Sequence, residues 1–184
     1  MIDEPLAGRL LVATPALGDP NFDRTVVLVL EHTDEGAVGL VLNRPSETAV
    51  VEPLPEWDRV TGPPSVIFVG GPVAQSAVIG LARGRVDPGE VWRPVVGGVG
   101  IVDLGGSPDD VAPAIEDLRL FAGYAGWVEE QLEDEIEAGA WWVADASPSD
   151  LLSDHPERLW SEVVRRQPGR LALYANFPAD PSEN

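Results

Sequence analysis

Apolar residues in this chain come in short runs of about four to six, closed off by glycine, proline or acidic residues, and that spacing restricts the backbone to short elements. The longest runs, residues 26–30 and 37–42, are of strand length and far below the roughly 18 to 20 residues a membrane helix requires. With 18 Pro and 19 Gly spread through 184 residues, 44% of them hydrophobic, the chain is long enough for one real core and short enough for one domain. A single domain over residues 1–184, with an ordered core at about 8–177, is expected.

Residues 10–13, 26–30 and 38–42 read as strands rich in Val and Leu. The last two are joined by His32-Thr33-Asp34-Glu35-Gly36, short enough for an antiparallel hairpin, and their near-continuous apolarity predicts burial on both faces. Prolines limit residues 46–57 to one or two helical turns plus loop. Strand signals return at 66–69, 77–81, 91–92 and 95–104, the last weakened by glycines.

The second half changes period. Ser107-Pro108-Asp109-Asp110 supplies an N-cap, a first-turn proline and first-turn acids, and Val111, Ile115 and Leu118 recur at helical spacing, which predicts a helix over 108–120. A second helix is expected to carry Val128, Leu132 and Ile136 as a narrow apolar stripe and to end near Gly139. Then follow a strand at 141–143, a capping pattern at Ser147-Pro148-Ser149-Asp150, and a helix over 156–166 with Leu159, Trp160, Val163 and Val164 inward. A strand at 171–174 and a loose, proline-rich tail close the chain. Strands mostly first and helices mostly later indicate α+β.

Composition removes several chemistries. Cysteine is absent, which excludes disulfides and thiolate nucleophiles. All 12 basic residues are Arg, so a Schiff-base lysine and a phosphate-binding P-loop lysine are excluded as well. Net charge is −19, and between residues 103 and 157 fifteen acids face the single base Arg119. Such a surface repels phosphate backbones, so direct nucleic-acid reading is disfavoured, and a solvated face is the simpler reading of the acidity than a dock for a basic partner. The start Met1-Ile2-Asp3-Glu4-Pro5 has neither the basic nor the apolar part of a secretory signal, and a cytoplasmic location is expected.

Only His32 and His155 offer imidazole chemistry. Glu31, His32 and Asp34 form a poor metal set, since neighbours on a strand point apart, and His155 beside Pro156 fits a helix start. No G-x-S-x-G turn is present for a serine hydrolase, and the acids of residues 129–137 are too numerous to single out a catalytic pair. Gly98-Val99-Gly100 lies inside a strand-like run and lacks the helix of a dinucleotide turn. Gly70-Gly71-Pro72 is the better anion-loop candidate, although an ordinary tight turn explains it equally. Arg158, Arg165, Arg166 and Arg170 form the only basic concentration, but Arg158 to Glu162 and Glu162 to Arg166 are spaced for intrahelical ion pairs.

Asp19-Pro20-Asn21-Phe22-Asp23-Arg24, then Glu31-His32 with Gly36-Ala37-Val38-Gly39 through Asn43-Arg44-Pro45, then Phe68-Val69-Gly70-Gly71-Pro72, follow one another along the chain. Together with Gly123-Tyr124-Ala125-Gly126-Trp127 and Gln131-Leu132-Glu133, they resemble the AlgH/YqgE family. One departure is Glu130, where the family usually carries glycine before the glutamine. The resemblance implies an α+β fold whose bifurcated, largely antiparallel sheet curls into a pseudo-barrel with flanking helices. It also implies a transcriptional-regulator label with no DNA-binding motif behind it, and no cofactor or metal. The matching positions that could hold a ligand or partner are Asp19, Phe22, Arg24, Asn43, Gly70, Gly71, Tyr124, Trp127, Gln131 and Glu135. Trp127, Gln131 and Glu135, four apart, would share one helical face, as a docking surface or simply as fold determinants. The expected role is non-catalytic binding or regulation, toward a small molecule or protein. A metal-independent hydrolase and an acidic protein–protein adaptor are the alternatives.

Overall fold

The computed structural model describes residues 5–85 and 89–176. In chain order it has β1 (Arg9–Ala13), β2 (Val26–Thr33), β3 (Gly36–Val41), β4 (Pro45–Ala49), α1 (Pro55–Asp58), β5 (Val66–Val69), β6 (Val73–Gly84), β7 (Trp92–Val96) and β8 (Val99–Val102). There follow α2 (Pro108–Val111), β9 (Ile115–Val128), α3 (Gln131–Glu137), β10 (Trp141–Asp145), α4 (Pro148–Leu151) and α5 (Pro156–Arg165). The ladder runs β10-β1-β2-β3-β9-β6-β8-β7, antiparallel at every step. β4 pairs with β5, which joins β9 in parallel.

The sheet forks on β9. β3 takes up residues 125–128 and β5 takes up Phe121 and Ala122. Gly70 stitches the prongs together: its amide donates to Ala122 O and its carbonyl accepts from Val41 N, both at 2.8 Å. A β-carbon at Gly70 would lie 2.3 Å from Gly123 O, and one at Gly71 would lie 2.1 Å from the Tyr124 carbonyl carbon, so side chains are excluded where the prongs meet.

β2 and β3 are buried on both faces along Val26–Val29 and Gly39–Val41, as their near-continuous apolarity predicts, and β1 is buried on both faces as well. Leu10, Val12, Val26 and Leu28 pack toward Leu159, Trp160, Val163 and Val164 of α5, while Leu11, Ala13, Val27 and Val29 pack with Trp127 and Trp141. Val95 and Val96 of β7 reach the same cluster as Leu10 and Val12, so the far end of the sheet curls back over its beginning. The result is the α+β pseudo-barrel with flanking helices that the resemblance implies. No helix among the described residues is long and apolar enough to cross a membrane.

Five elements differ from the expectation. The helix over 108–120 stops after one turn and a 3₁₀ turn at Ala112–Ala114, and Ile115 onward becomes the longest strand. Pro113 has no N–H to continue the helix, and β6 offers a full ladder instead. Val128 therefore ends β9, 70% exposed, and the second helix starts only at Gln131, after Glu130 reverses the chain at φ 62. Residues 45–49, expected as loop or helical turn, form β4, whose partner β5 lies beyond the α1 turn. Residues 95–104 split at Gly97-Gly98 into the β7–β8 hairpin. Residues 171–174 lie in a 3₁₀ helix, Gly169–Asn176, whose inward Ala172 and Ala175 recur every third position rather than every second. The tail from residue 177 lies outside the described residues.

Candidate functional site

The family-matching side chains fall into three places. Phe22, Trp127, Gln131 and Glu135 come together, although not on one helix: Trp127 is the penultimate residue of β9, the chain turns at Glu130, and α3 brings Gln131 and Glu135 back. Trp127 Nε1 donates to Glu135 Oε2 at 2.9 Å, and Gln131 Nε2 donates to Oε1 at 2.9 Å. Trp141, which the motifs did not single out, adds its Nε1 to Glu135 Oε2 at 2.8 Å. Phe22 lies against both indoles, at ring-centroid distances of 6.4 and 5.5 Å. Three donors thus converge on one carboxylate inside an aromatic cage, a charge-assisted arrangement closed upon itself.

Arg24 and Asn43 occupy a second place, where β2 begins. Asn43 Oδ1 accepts from Val26 N and its Nδ2 donates to Arg24 O, each at 2.9 Å, while the Arg24 guanidinium sits 4.2 Å over the Trp160 ring. Asp19 accepts from Asn21 N at 2.8 Å in a local turn. Gly70, Gly71 and Tyr124 make up the fork. Because the Gly70 amide is bonded to Ala122, it is not offered to an anion.

His32 is structural in its contacts. Leu6 N donates to Nδ1 at 3.2 Å, so the neutral ring carries its proton on Nε2 and donates it to Glu133 Oε1 at 2.7 Å. Burial pushes the Glu133 carboxyl up, but the bond from its own backbone amide and the His32 imidazole outweigh burial and hold it below the usual carboxylate range. Among the described residues no group of three or more His, Asp or Glu is arranged to hold a metal ion.

A cavity of about 560 Å³ lies elsewhere, between the β6–β9 ladder and the α4–α5 segment. Its shape begins with a bulge: Leu81 pairs with Arg119 but Arg83 pairs with Glu116, leaving one extra residue on β9. Asp117 takes φ 49 there and turns outward. The loop at Gly62 and Pro63 packs on the bulge, with Gly62 N donating to Leu118 O at 2.9 Å. Arg119, only 3% exposed, donates to Pro63 O and Ser153 O at 2.9 and 2.8 Å and lies 4.5 Å over Phe68. Burial pushes its guanidinium down to about 10, against the upward pull of Asp154 and Asp117.

On the helical side, Asp150 is buried and closes a capping box on Ser147 N while receiving Arg166, whose NH1 lies 2.7 Å from Oδ1. That hydrogen bond raises the Arg166 pKa despite partial burial. Of the expected intrahelical ion pairs, Arg166 donates instead to the tertiary partner Asp150, with Glu162 acting on it only at longer range, and Arg158 contacts Glu157 at 3.7 Å instead of Glu162. Arg83 also lines the cavity and has no hydrogen-bond or ion-pair partner among the described residues. The sequence motifs miss this cleft because its walls come from four separate segments. The one usable signal was Arg119, the lone base among fifteen acids.

The AlgH-like family (DUF179) matches residues 10–172. A UPF0301 protein of Streptomyces coelicolor is 52% identical over 97% of this chain and 95% of its own, and one of Mycobacteroides abscessus is 48% identical over 97% and 88%. The crystal structure of a Corynebacterium diphtheriae protein is similar at TM-score 0.89 and 36% identity, covering 95% of this chain and 94% of that one. The solution structure of the AlgH protein from Pseudomonas aeruginosa is similar at TM-score 0.69 and 29% identity, covering 97% of both. From the fork on β9 to the aromatic cage, and over nearly its whole length, the chain belongs to the AlgH-like family.

Proposed function

We propose that this protein acts by recognition, binding a small solute in the cleft between β9 and the α4–α5 segment, and that any regulatory effect passes through that binding. The observation that carries the reading is Arg83, without a hydrogen-bond or ion-pair partner among the described residues, lining a cavity of about 560 Å³, a volume typical of ligand pockets. The closed contacts of Glu135, Trp127 and Gln131 suit an architectural clamp better than an open docking surface. The His32 ring has both nitrogens engaged, and the ion-pair contact of the His155 ring is Glu157 Oε1 at 3.5 Å, which favours binding over hydrolysis. The net charge of −19 favours an indirect form of the transcriptional-regulator role over DNA reading.

The test is a thermal-shift screen of the full chain against a metabolite library, followed by amide chemical-shift mapping of each solute that stabilises it. Perturbations around Arg83, Asp117 and Ser153, abolished by Arg83→Ala with the fold intact, are expected. Mapping of all binders to the Trp127–Glu135 face, or turnover of a bound solute, would overturn the reading.

A further inference from the structure

The charges of the cleft are of both signs, and they are not all neutralised by one another. Arg166 and Asp150 form a closed pair, since each satisfies the other and Asp150 is buried. Arg119 is held by two backbone carbonyls and balanced electrostatically by Asp154 and Asp117. Among the described residues Arg83 has no hydrogen-bond or ion-pair partner, while Asp117 and Asp154, which balance Arg119 at longer range, and Glu162, which does so for Arg166, line the same cavity without a hydrogen-bonded cation of their own.

A ligand that is only an anion would find Arg83 but would also face three carboxylates and the field of a chain carrying −19. A ligand that is only a cation would suit the carboxylates and the field, yet would be repelled by Arg83 and leave that guanidinium uncompensated in a partly desolvated site. A molecule with one charge of each sign satisfies both sets. Leu118, Leu152 and Leu159 add apolar wall to the same cavity, along which an aliphatic part can lie.

We infer that the cleft takes a small zwitterion, a free amino acid or short peptide, with its carboxylate on Arg83 and its ammonium toward Asp117 and Asp154. This rests on the cleft being the binding site proposed above. The carboxylate is anchored by a guanidinium fork, a pairing that Lys at the same position would reproduce only in part.

The experiment titrates the full chain calorimetrically with the proteinogenic L-amino acids and with glycine-containing dipeptides. It then repeats the titration with the N-acetyl and the carboxamide derivatives of whichever binds best. Saturable binding is expected, weakened at least about tenfold by either blocking group and by Arg83→Ala, and partly restored in Arg83→Lys. Asp117→Asn is expected to weaken the free amino acid while leaving its N-acetyl derivative unaffected. Retention of the N-acetyl derivative at full affinity would make the site a simple anion site, and retention of the carboxamide a simple cation site; either overturns the inference. Absence of binding by every amino acid and dipeptide overturns it too, and if another solute class still maps to the cleft, the binding function proposed above survives that failure. If no solute of any class maps there, both fall together.

Discussion

Trp127 and Trp141 donate to the same oxygen of Glu135, and their rings lie 6.0 Å apart, although three strands separate β9 from β10 in the ladder. In a flat sheet four strand spacings would hold them about 19 Å apart. The curl of the sheet is therefore measured by this one contact, and Glu135 is the group that fastens it.

Removing that fastener is expected to be costly. Glu135→Ala leaves two indole N–H groups and the Gln131 amide without their acceptor, and a loss of about 2–4 kcal/mol is expected. Gln131→Ala removes only one of the three donors and should cost about 1 kcal/mol. Urea midpoints of the two variants at neutral pH check the ordering, and equal losses would refute the shared-acceptor account.

Glu130 enters α3 with φ 62, a conformation disfavoured for any residue bearing a β-carbon. Glu130 stands where the resemblance implies a glycine, and the chain takes a left-handed turn there. Glu130→Gly should stabilise the chain by about 1 kcal/mol and raise its melting temperature. A fall in melting temperature would show that the Glu130 side chain contributes more than the strain removes.

The fork admits no side chain. Gly71→Ala would place a methyl on the Tyr124 carbonyl and Gly70→Ala on Gly123 O, against backbone that cannot yield without breaking the β9 ladder. Each variant is expected to lose about 3 kcal/mol or more, read as a large drop in melting temperature or failure to accumulate as folded protein. Gly98→Ala, where a β-carbon meets nothing within 4 Å, is the matched control.

Acid should release the His32–Glu133 link. Because the carboxyl pKa of Glu133 is depressed in the folded chain, its stabilisation is complete above the unfolded-state pKa and is lost as pH falls through the lower folded value. The stability gap between the natural chain and Glu133→Gln should thus be constant near neutrality and close at acid pH. Urea titrations across that range decide it, and a gap independent of pH would remove Glu133 from the acid response.

Legibility from sequence followed the range of the interactions. Two-faced burial of β2 and β3 was readable because their apolar residues are nearly contiguous, and the inward face of α5 because Leu159, Trp160, Val163 and Val164 repeat with helical period. The grouping of Trp127, Gln131 and Glu135 was read from a spacing of four, yet the chain achieves it through a strand, a reversal and a helix. β9 was hidden because Val111, Ile115 and Leu118 recur at helical spacing, which the bulge at Asp117 leaves intact, and only Pro113 argued otherwise. Apart from Arg119, the lone base among fifteen acids, the cleft was not legible, since Arg83, Asp117, Asp150 and Arg166 meet only after the sheet has curled.

β9 carries both the bulge at Asp117 and the indole of Trp127, ten residues and at most about 33 Å along one continuous strand. Cleft and aromatic cage are thus two stations on a single rail. Any displacement of the bulge is either absorbed by the ladders that flank it or delivered to an indole, so emission from Trp127 is a built-in gauge of how stiff that rail is.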